Sequence, residues 1–195
     1  MTLTDRDHDQ PTATRSGGRI LVDALRQHGT DRLYCVPGES YLDVLDALHD
    51  TPEIDTIVAK HEGAAANMAE ADGKLTGRPG ICFVTRGPGA THASIGVHIA
   101  FQDSTPMILF IGQVARAHRG REAFQEVDYV QMFGPLAKWV AEIDDIARIP
   151  EIVARAFHVA TCLGTTSQVT HDILGILAGR CPIRSFASTA RDQPP

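Results

Sequence analysis

Apolar residues along the chain change several times between a helical spacing and short continuous runs. Apolar side chains recur every three or four positions in residues 20–25, which predicts a helix that ends at Gly29. Comparable spacing predicts further helices at residues 42–48, 62–76, 92–102, 126–133 and 144–161. Continuous apolar runs predict strands at residues 32–36, 56–59, 80–85, 107–112 and 138–141.

The alternation of strands and helices predicts an α/β fold. The strands are short and apolar on both faces, which is typical of a mainly parallel sheet covered by helices on two sides, in three layers α/β/α. In such sheets, ligands bind outside the carboxyl ends of the strands. The loops at that edge are residues 36–40, 60–62, 85–91 and 112 onward, and the unusual residue clusters of the chain lie on them.

Charge and composition narrow the function classes. The formal net charge of −6 argues against a nucleic-acid partner, and the absence of an apolar run of about 18 residues argues against a membrane span. The polar residues 1–16 predict a disordered N-terminal arm without the apolar core of a signal peptide, so we expect a cytoplasmic location. The cysteines match no metal-ligand spacing, and we expect free thiols at Cys35, Cys82, Cys162 and Cys181.

Glu62 stands directly after a predicted strand, at the start of an alanine-rich helix. The helix dipole favours a carboxylate there, so a simple capping role is one interpretation. A ligand contact is the other, because Gly63 and the alanines that follow leave room for a flat ring or another backbone. A partly buried carboxylate can share a proton with a ligand nitrogen.

Two further loops also allow two interpretations. The Gly87-Pro88-Gly89 turn between a strand and a helix resembles a phosphate cradle, yet it lacks the P-loop lysine and the glycine spacing of dinucleotide sites. A tight turn explains it equally well. Phe124 and Gln125 lie in a polar stretch and are either site residues or the solvated start of a helix.

Taken together, these loops resemble the pyrimidine-binding domain of thiamine-diphosphate-dependent enzymes, above all acetolactate synthase and its relatives. The resemblance covers residues 17–162. Its motifs are Val36-Pro37-Gly38-Glu39, Lys60-His61-Glu62-Gly63-Ala64-Ala65, Ala69-Glu70-Ala71, Gly77-Arg78-Pro79-Gly80, Thr85-Arg86-Gly87-Pro88-Gly89-Ala90-Thr91 and Ala123-Phe124-Gln125-Glu126. Three positions depart from the pattern, since Lys60 stands where arginine is usual, Asn67 interrupts the apolar helix and His92 replaces a common asparagine.

The resemblance implies a catalytic role for Glu62. In this family the corresponding glutamate hydrogen-bonds the pyrimidine nitrogen of thiamine diphosphate, which promotes loss of the thiazolium C2 proton. A 2-keto acid then loses carbon dioxide, and a second carbonyl compound accepts the carbanion. The residues implied to hold the pyrimidine half are Pro37, Gly38, Glu39, Glu62, Gly87, Pro88, Gly89 and Thr91. Phe124 and Gln125 are implied to face the substrate region.

The resemblance also implies that the other half of the site comes from elsewhere. Family members bind the diphosphate through Mg²⁺ on a domain marked by Gly-Asp-Gly, and this sequence has no such motif. We therefore expect a homo-oligomer or a partner chain that carries the diphosphate-binding domain. Mg²⁺ would reach the site only through that domain, and we expect no metal ligand in this chain. FAD is a further cofactor of some full-length relatives.

Three functional interpretations stay open. The chain is a truncated acetolactate synthase-like 2-keto acid carboligase or decarboxylase that is inactive alone. Alternatively, it is the small subunit of a two-chain thiamine-diphosphate decarboxylase, or a non-catalytic interaction module of the same fold.

Residues 163–195 depart from the family pattern. If suitable codons are read one nucleotide later, residues 163–167 become Ser-Gly-Arg-Pro and residues 177–183 become Leu-Pro-Glu-Asp-Ala-Leu-Ser, as family members have. We therefore hypothesise a frameshift near Cys162. It predicts an irregular, non-native tail and the loss of the last strand of the sheet.

Overall fold

The computed structural model describes residues 14–162 and, for the backbone alone, His171–Ile176 and Arg180–Cys181. The strands are β1 (Arg15–Ser16), β2 (Arg32–Cys35), β3 (Asp55–Val58), β4 (Gly80–Val84), β5 (Met107–Gly112), β6 (Trp139–Glu142), β7 (His171–Ile176) and β8 (Arg180–Cys181). The α-helices are α1 (Gly17–Gln27), α2 (Leu42–His49), α3 (Glu62–Thr76), α4 (Pro88–Asp103), α5 (Tyr129–Phe133) and α6 (Ile149–Thr161). Short 3-10 helices lie at Glu39–Tyr41, Arg116–His118 and Ile146–Arg148.

Six strands form the central sheet in the order β3-β2-β4-β5-β7-β6. Every neighbouring pair in this sheet is parallel, which confirms the predicted α/β class, while β1 and β8 form a separate antiparallel pair. The chain leaves β2 for β3 on one side and then crosses back to β4 on the other. The carboxyl ends of β2 and β4 therefore border the point where the winding changes direction, which is where open α/β sheets bind ligands.

Helices cover both faces of the sheet. On one face, α1, α2 and α6 pack against Leu33, Phe83 and Phe110. On the other face, α3, α4 and α5 pack against Cys82 and Leu109. Because successive residues of a strand point to opposite faces, strands buried on both sides must be apolar throughout, as the sequence is.

The helices α3 and α4 approach each other closely because the residues between them are small. The helix α3 begins after His61, whose Nδ1 accepts a hydrogen bond from the Gly63 N–H at 3.0 Å. Its C-terminal cap is Gly77, whose φ of 68° is a conformation that favours glycine. A Cβ built on Gly96 of α4 would lie 2.6 Å from the Cβ of Ala66 in α3. Glycine at position 96 thus sets the distance between the two helices.

Two expectations about the ends of the chain need correction. The strand β7 lies between β5 and β6 and pairs with both, so the prediction of an irregular tail without the last strand is wrong for His171–Ile176. Without a strand in this gap, the facing N–H and C=O groups of β5 and β6 would lack partners. At the other end, Arg15–Ser16 form β1, which shortens the predicted arm. Residues 1–13, 163–170, 177–179 and 182–195 lie outside the described residues, and the frameshift stays a hypothesis.

Candidate functional site

The loops that follow β2 and β4 are joined where the winding of the sheet changes direction. The Oγ of Ser40 lies 2.9 Å from Oγ1 of Thr85, and it also accepts a hydrogen bond from the Arg86 N–H at 3.3 Å. Gly38 faces Thr85 so closely that a Cβ on Gly38 would lie 2.5 Å from the Thr85 Cβ. Two of the predicted loops therefore form one edge of a crevice.

Glu62, the first residue of α3, lies at the same edge with 14% of its side chain exposed. Its Oε2 is 2.9 Å from Nδ1 of His92, whereas no group within residues 14–162 hydrogen-bonds its Oε1. The ring of His61 stacks on that of His92, with centroids 4.7 Å apart. One oxygen of the carboxylate is thus held by an imidazole, and the other is available to a ligand.

Glycine at position 89 allows the loop after β4 to approach Glu62. A Cβ on Gly89 would lie 2.8 Å from Cγ2 of Thr85 and 3.5 Å from Oε1 of Glu62. A side chain at this position would therefore narrow the space beside the carboxylate. Close approach, and not only a tight turn, explains the second glycine of the Gly-Pro-Gly motif.

Gly87 connects the crevice to the loop after β5. Its φ of 60° favours glycine, and its N–H donates a hydrogen bond to Oη of Tyr129 at 2.8 Å. A Cβ on Gly87 would lie 2.7 Å from the Cβ of Gln125, which has a positive φ of 63°. Gln125 therefore packs directly behind the start of α4, where Pro88 is the first residue.

Arg86 links three of the loops at this edge. Its guanidinium pairs with the carboxylate of Glu39, and its Nε donates to the carbonyl oxygen of Phe124 at 3.1 Å. Only 14% of the Arg86 side chain is exposed, so the pairing is shielded from solvent on the arginine side. Neither Arg86 nor Tyr129 is among the predicted site residues, because each acts through residues that lie about 40 positions away or more.

Some of the predicted site residues do not face Glu62. Pro37 is exposed, and the Glu39 carboxylate is directed to Arg86. The hydroxyl of Thr91 donates to the Pro88 carbonyl at 2.9 Å, within its own helix. The ring of Phe124 lies on the surface, and the residue is 74% exposed. The roles predicted for these residues stay predictions.

The surroundings of Glu62 include two groups that are neutral at physiological pH. Burial raises the pKa of Tyr41, and the negative charge of Glu62 adds to the effect. Burial likewise raises the pKa of Cys82, again with a contribution from Glu62. Tyr41 therefore stays protonated and donates its hydroxyl proton to the carbonyl of Val36.

Glu126 stabilises the loop after β5 through hydrogen bonds within that loop. Its carboxylate accepts hydrogen bonds from the N–H groups of Gly120 at 2.6 Å and Ala123 at 3.0 Å. These bonds, that from Gly120 first, lower the pKa of Glu126. The ionised side chain thus holds the loop that carries Phe124 and Gln125.

Comparison with known proteins identifies the family. The sequence profile described as "Thiamine pyrophosphate enzyme, N-terminal TPP binding domain" matches residues 15–132. The chain belongs to this family.

Similar full-length proteins share the name acetolactate synthase. This thiamine pyrophosphate enzyme domain is 40% identical over 162 residues to "Acetolactate synthase" of Bacillus subtilis, covering 83% of the chain and 28% of that protein. It is 37% identical over 153 residues to "Acetolactate synthase catalytic subunit, mitochondrial" of Aspergillus candidus, covering 78% and 22%. The corresponding values for "Acetolactate synthase isozyme 3 large subunit" of Escherichia coli are 38% over 145 residues, 74% and 25%. The chain thus spans about a quarter of the length of these relatives.

Within the described part of the domain, every helix is too short or too polar to cross a membrane. Three of the relatives carry the word mitochondrial in their names. The cytoplasmic location expected from the N-terminal residues therefore stays a prediction for this member of the thiamine pyrophosphate enzyme family.

Proposed function

We propose that the chain supplies the pyrimidine side of a thiamine diphosphate site in an acetolactate synthase-like 2-keto acid carboligase or decarboxylase. One observation carries the proposal. The carboxylate of Glu62 lies partly buried at the carboxyl edge of the sheet, and no group within residues 14–162 hydrogen-bonds its Oε1. The nitrogen of a planar aromatic ring would supply the missing partner.

The residues of this chain have distinct tasks in the proposal. Glu62 holds a proton between Oε1 and the pyrimidine nitrogen, and His92 orients the carboxylate through Oε2. Gly38 and Gly89 permit the close approach of loops on either side. When bound, thiamine diphosphate supplies the stabilisation of the carbanion that loss of carbon dioxide leaves.

The loop after β5 is the proposed substrate side. Gln125 packs on Gly87, and the Phe124 carbonyl accepts from Arg86, so both residues are tied to the loop that precedes α4. Arg86 therefore acts as a positioning residue for this loop. A small 2-keto acid would lie between these residues and Glu62.

The site needs a second half in this proposal. The diphosphate and its Mg²⁺ would be bound by a domain with Gly-Asp-Gly, contributed by a partner chain. FAD, if used, would depend on residues outside this domain. The chain alone would then bind the cofactor weakly and have no activity, whether it acts as a truncated form or as the small subunit of a two-chain enzyme.

Cofactor binding by the chain tests the proposal. Thiamine diphosphate should shift the backbone amide NMR signals of Gly63 and Gly89. Replacing Glu62 with glutamine removes a charge-assisted hydrogen bond of about 1.5–3 kcal/mol, which should weaken binding roughly 10- to 100-fold in calorimetry. The matched control is Glu151→Gln, because Glu151 also lies in the first turn of a helix, α6, away from the crevice.

The control should bind like the unmodified chain. If millimolar thiamine diphosphate leaves the amides of Gly63 and Gly89 unchanged, or if Glu62→Gln binds it equally well, the proposal is wrong. In that case the third interpretation, a non-catalytic module, would account better for the chain.

A further inference from the structure

Three metal-ligating side chains converge at the start of α3. His61, Glu62 and His92 each offer one ligand atom, and these atoms all lie within 4.8 Å of one another. They form what we call the His–Glu–His cluster. Two imidazole nitrogens and one carboxylate oxygen suit Zn²⁺ and neighbouring transition-metal ions, whereas Mg²⁺ prefers oxygen ligands.

The geometry of the cluster is close to that of a bound ion. In a tetrahedral site with metal–ligand bonds of about 2.0–2.2 Å, ligand atoms lie roughly 3.3–3.5 Å apart. Oε2 of Glu62 and Nδ1 of His92 are already 2.9 Å apart, and the His61 ring is stacked on His92. The two imidazoles are exposed, with half of the His92 side chain open to solvent. Because both rings are exposed, they can rotate to bring ligand atoms that lie within 4.8 Å of one another to the spacing of a bound ion.

Coordination has an identifiable cost. Nδ1 of His61 accepts the hydrogen bond of the Gly63 N–H at 3.0 Å and so caps α3. Coordination through Nδ1 replaces this bond directly. Coordination through Nε2 moves the ring proton to Nδ1, which then no longer accepts. The cap is lost in either case, so the site is of moderate affinity.

We propose that the His–Glu–His cluster binds one divalent transition-metal ion of the Zn²⁺ class, and that this ion excludes the pyrimidine ring from Glu62. The metal site follows from the three side chains alone. The exclusion rests on the proposed function, because it requires Glu62 to serve the cofactor as well. A metal ion bound through Oε2 draws negative charge from the carboxylate, so Oε1 becomes a poorer partner for a protonated ring nitrogen, and the positive charge of the ion repels that nitrogen.

Titration with Co²⁺ tests the metal site, because its visible absorption reports the ligands around it. The Cys162→Ser variant should be used throughout, since Sγ of Cys162 lies 3.3 Å from Nε2 of His158 and is a competing surface site. We expect one equivalent of Co²⁺ to bind, Zn²⁺ to displace it and Mg²⁺ to leave it in place.

Replacing His61 or His92 with asparagine should weaken Co²⁺ binding by about tenfold or more. Asparagine at position 92 keeps a donor for Glu62, and circular dichroism checks that both variants fold. His98→Asn is the matched control, because His98 lies exposed on the same helix as His92. Binding that is absent, or that survives loss of both imidazoles, overturns the proposal.

A second titration tests the exclusion. Thiamine is the probe, since it has the pyrimidine ring but no diphosphate that would sequester zinc. With Cys162→Ser as the common background, one equivalent of Zn²⁺ should weaken thiamine binding when His92 is present but not when His92→Asn is added. Equal weakening in both proteins contradicts the exclusion. If thiamine and thiamine diphosphate bind neither protein while Co²⁺ still binds, the proposed function fails and the metal site stands.

Discussion

Replacing Gly96 with alanine should push α4 away from α3 and lower the free energy of unfolding. The added Cβ would lie 2.6 Å from the Cβ and 2.7 Å from the carbonyl carbon of Ala66. Carbon atoms prefer separations of about 3.5–4.0 Å, so the helices must part by roughly 1 Å. Because the backbone of Ala66 is one of the contacts, a side-chain rotation cannot relieve the overlap.

The magnitude follows from two opposing effects. Overpacking of this kind costs about 1–3 kcal/mol, while alanine in place of glycine in a helix recovers about 1 kcal/mol. Since the overlap involves the Ala66 backbone, the cost lies at the upper end of this range, and we expect a net loss of about 2 kcal/mol, or a melting temperature lower by roughly 4–8 °C. Thermal and urea unfolding followed by circular dichroism measure both quantities.

The same substitution should also affect the candidate site. Glu62 lies on α3 and His92 on α4, so parting the helices should lengthen the 2.9 Å contact between them. Imidazole nitrogen NMR shifts of His92 report this change. Gln102→Ala, on the exposed side of α4, is the control and should alter stability by less than about 0.5 kcal/mol. A Gly96→Ala protein as stable as the unmodified chain, with unchanged His92 shifts, would contradict this account of the contact between α3 and α4.

Two further predictions concern buried and loop carboxylates. Thr105→Val should lower the free energy of unfolding by about 1–3 kcal/mol in urea denaturation, because the Thr105 hydroxyl donates to the buried carboxylate of Glu70 at 2.9 Å. The pKa of Glu126 is lowered in the folded chain, so its contribution to loop order is present above the ordinary glutamate pKa and is lost as the pH falls through the lowered value. The amide NMR signals of Gly120 and Ala123 should therefore titrate together in acid.

Each of these predictions has its own control. Thr105→Ser keeps the donor and should be more stable than the valine variant, so equal stability of the two would argue against the hydrogen bond. Glu126→Gln removes the titrating group, and the acid transition at the Gly120 and Ala123 amides should vanish. If that transition persists in the glutamine variant, another group causes it.

Several parts of this protein follow from local sequence alone. Residues 62–76 were predicted as a helix, and α3 has the same bounds, because a cap at His61 and a glycine at Gly77 act within one turn of each end. The strand β5 also matches its prediction, since a continuous apolar run is buried on both faces wherever it lies in the sheet. The sequence also predicts that the loops after β2, β4 and β5 lie together, because the carboxyl ends of parallel strands all lie at one edge of the sheet.

Which side chains meet at that edge depends on packing between distant segments. The contact of Glu62 with His92 joins residues 30 positions apart, and it depends on the close approach of Ala66 and Gly96, which no local pattern reveals. The strand β7 pairs with β5 and β6, which are distant from it along the chain. Sequence patterns act over a few residues, and they therefore predict the helices and strands. Packing and strand pairing join segments that are far apart along the chain, and these interactions assemble the site.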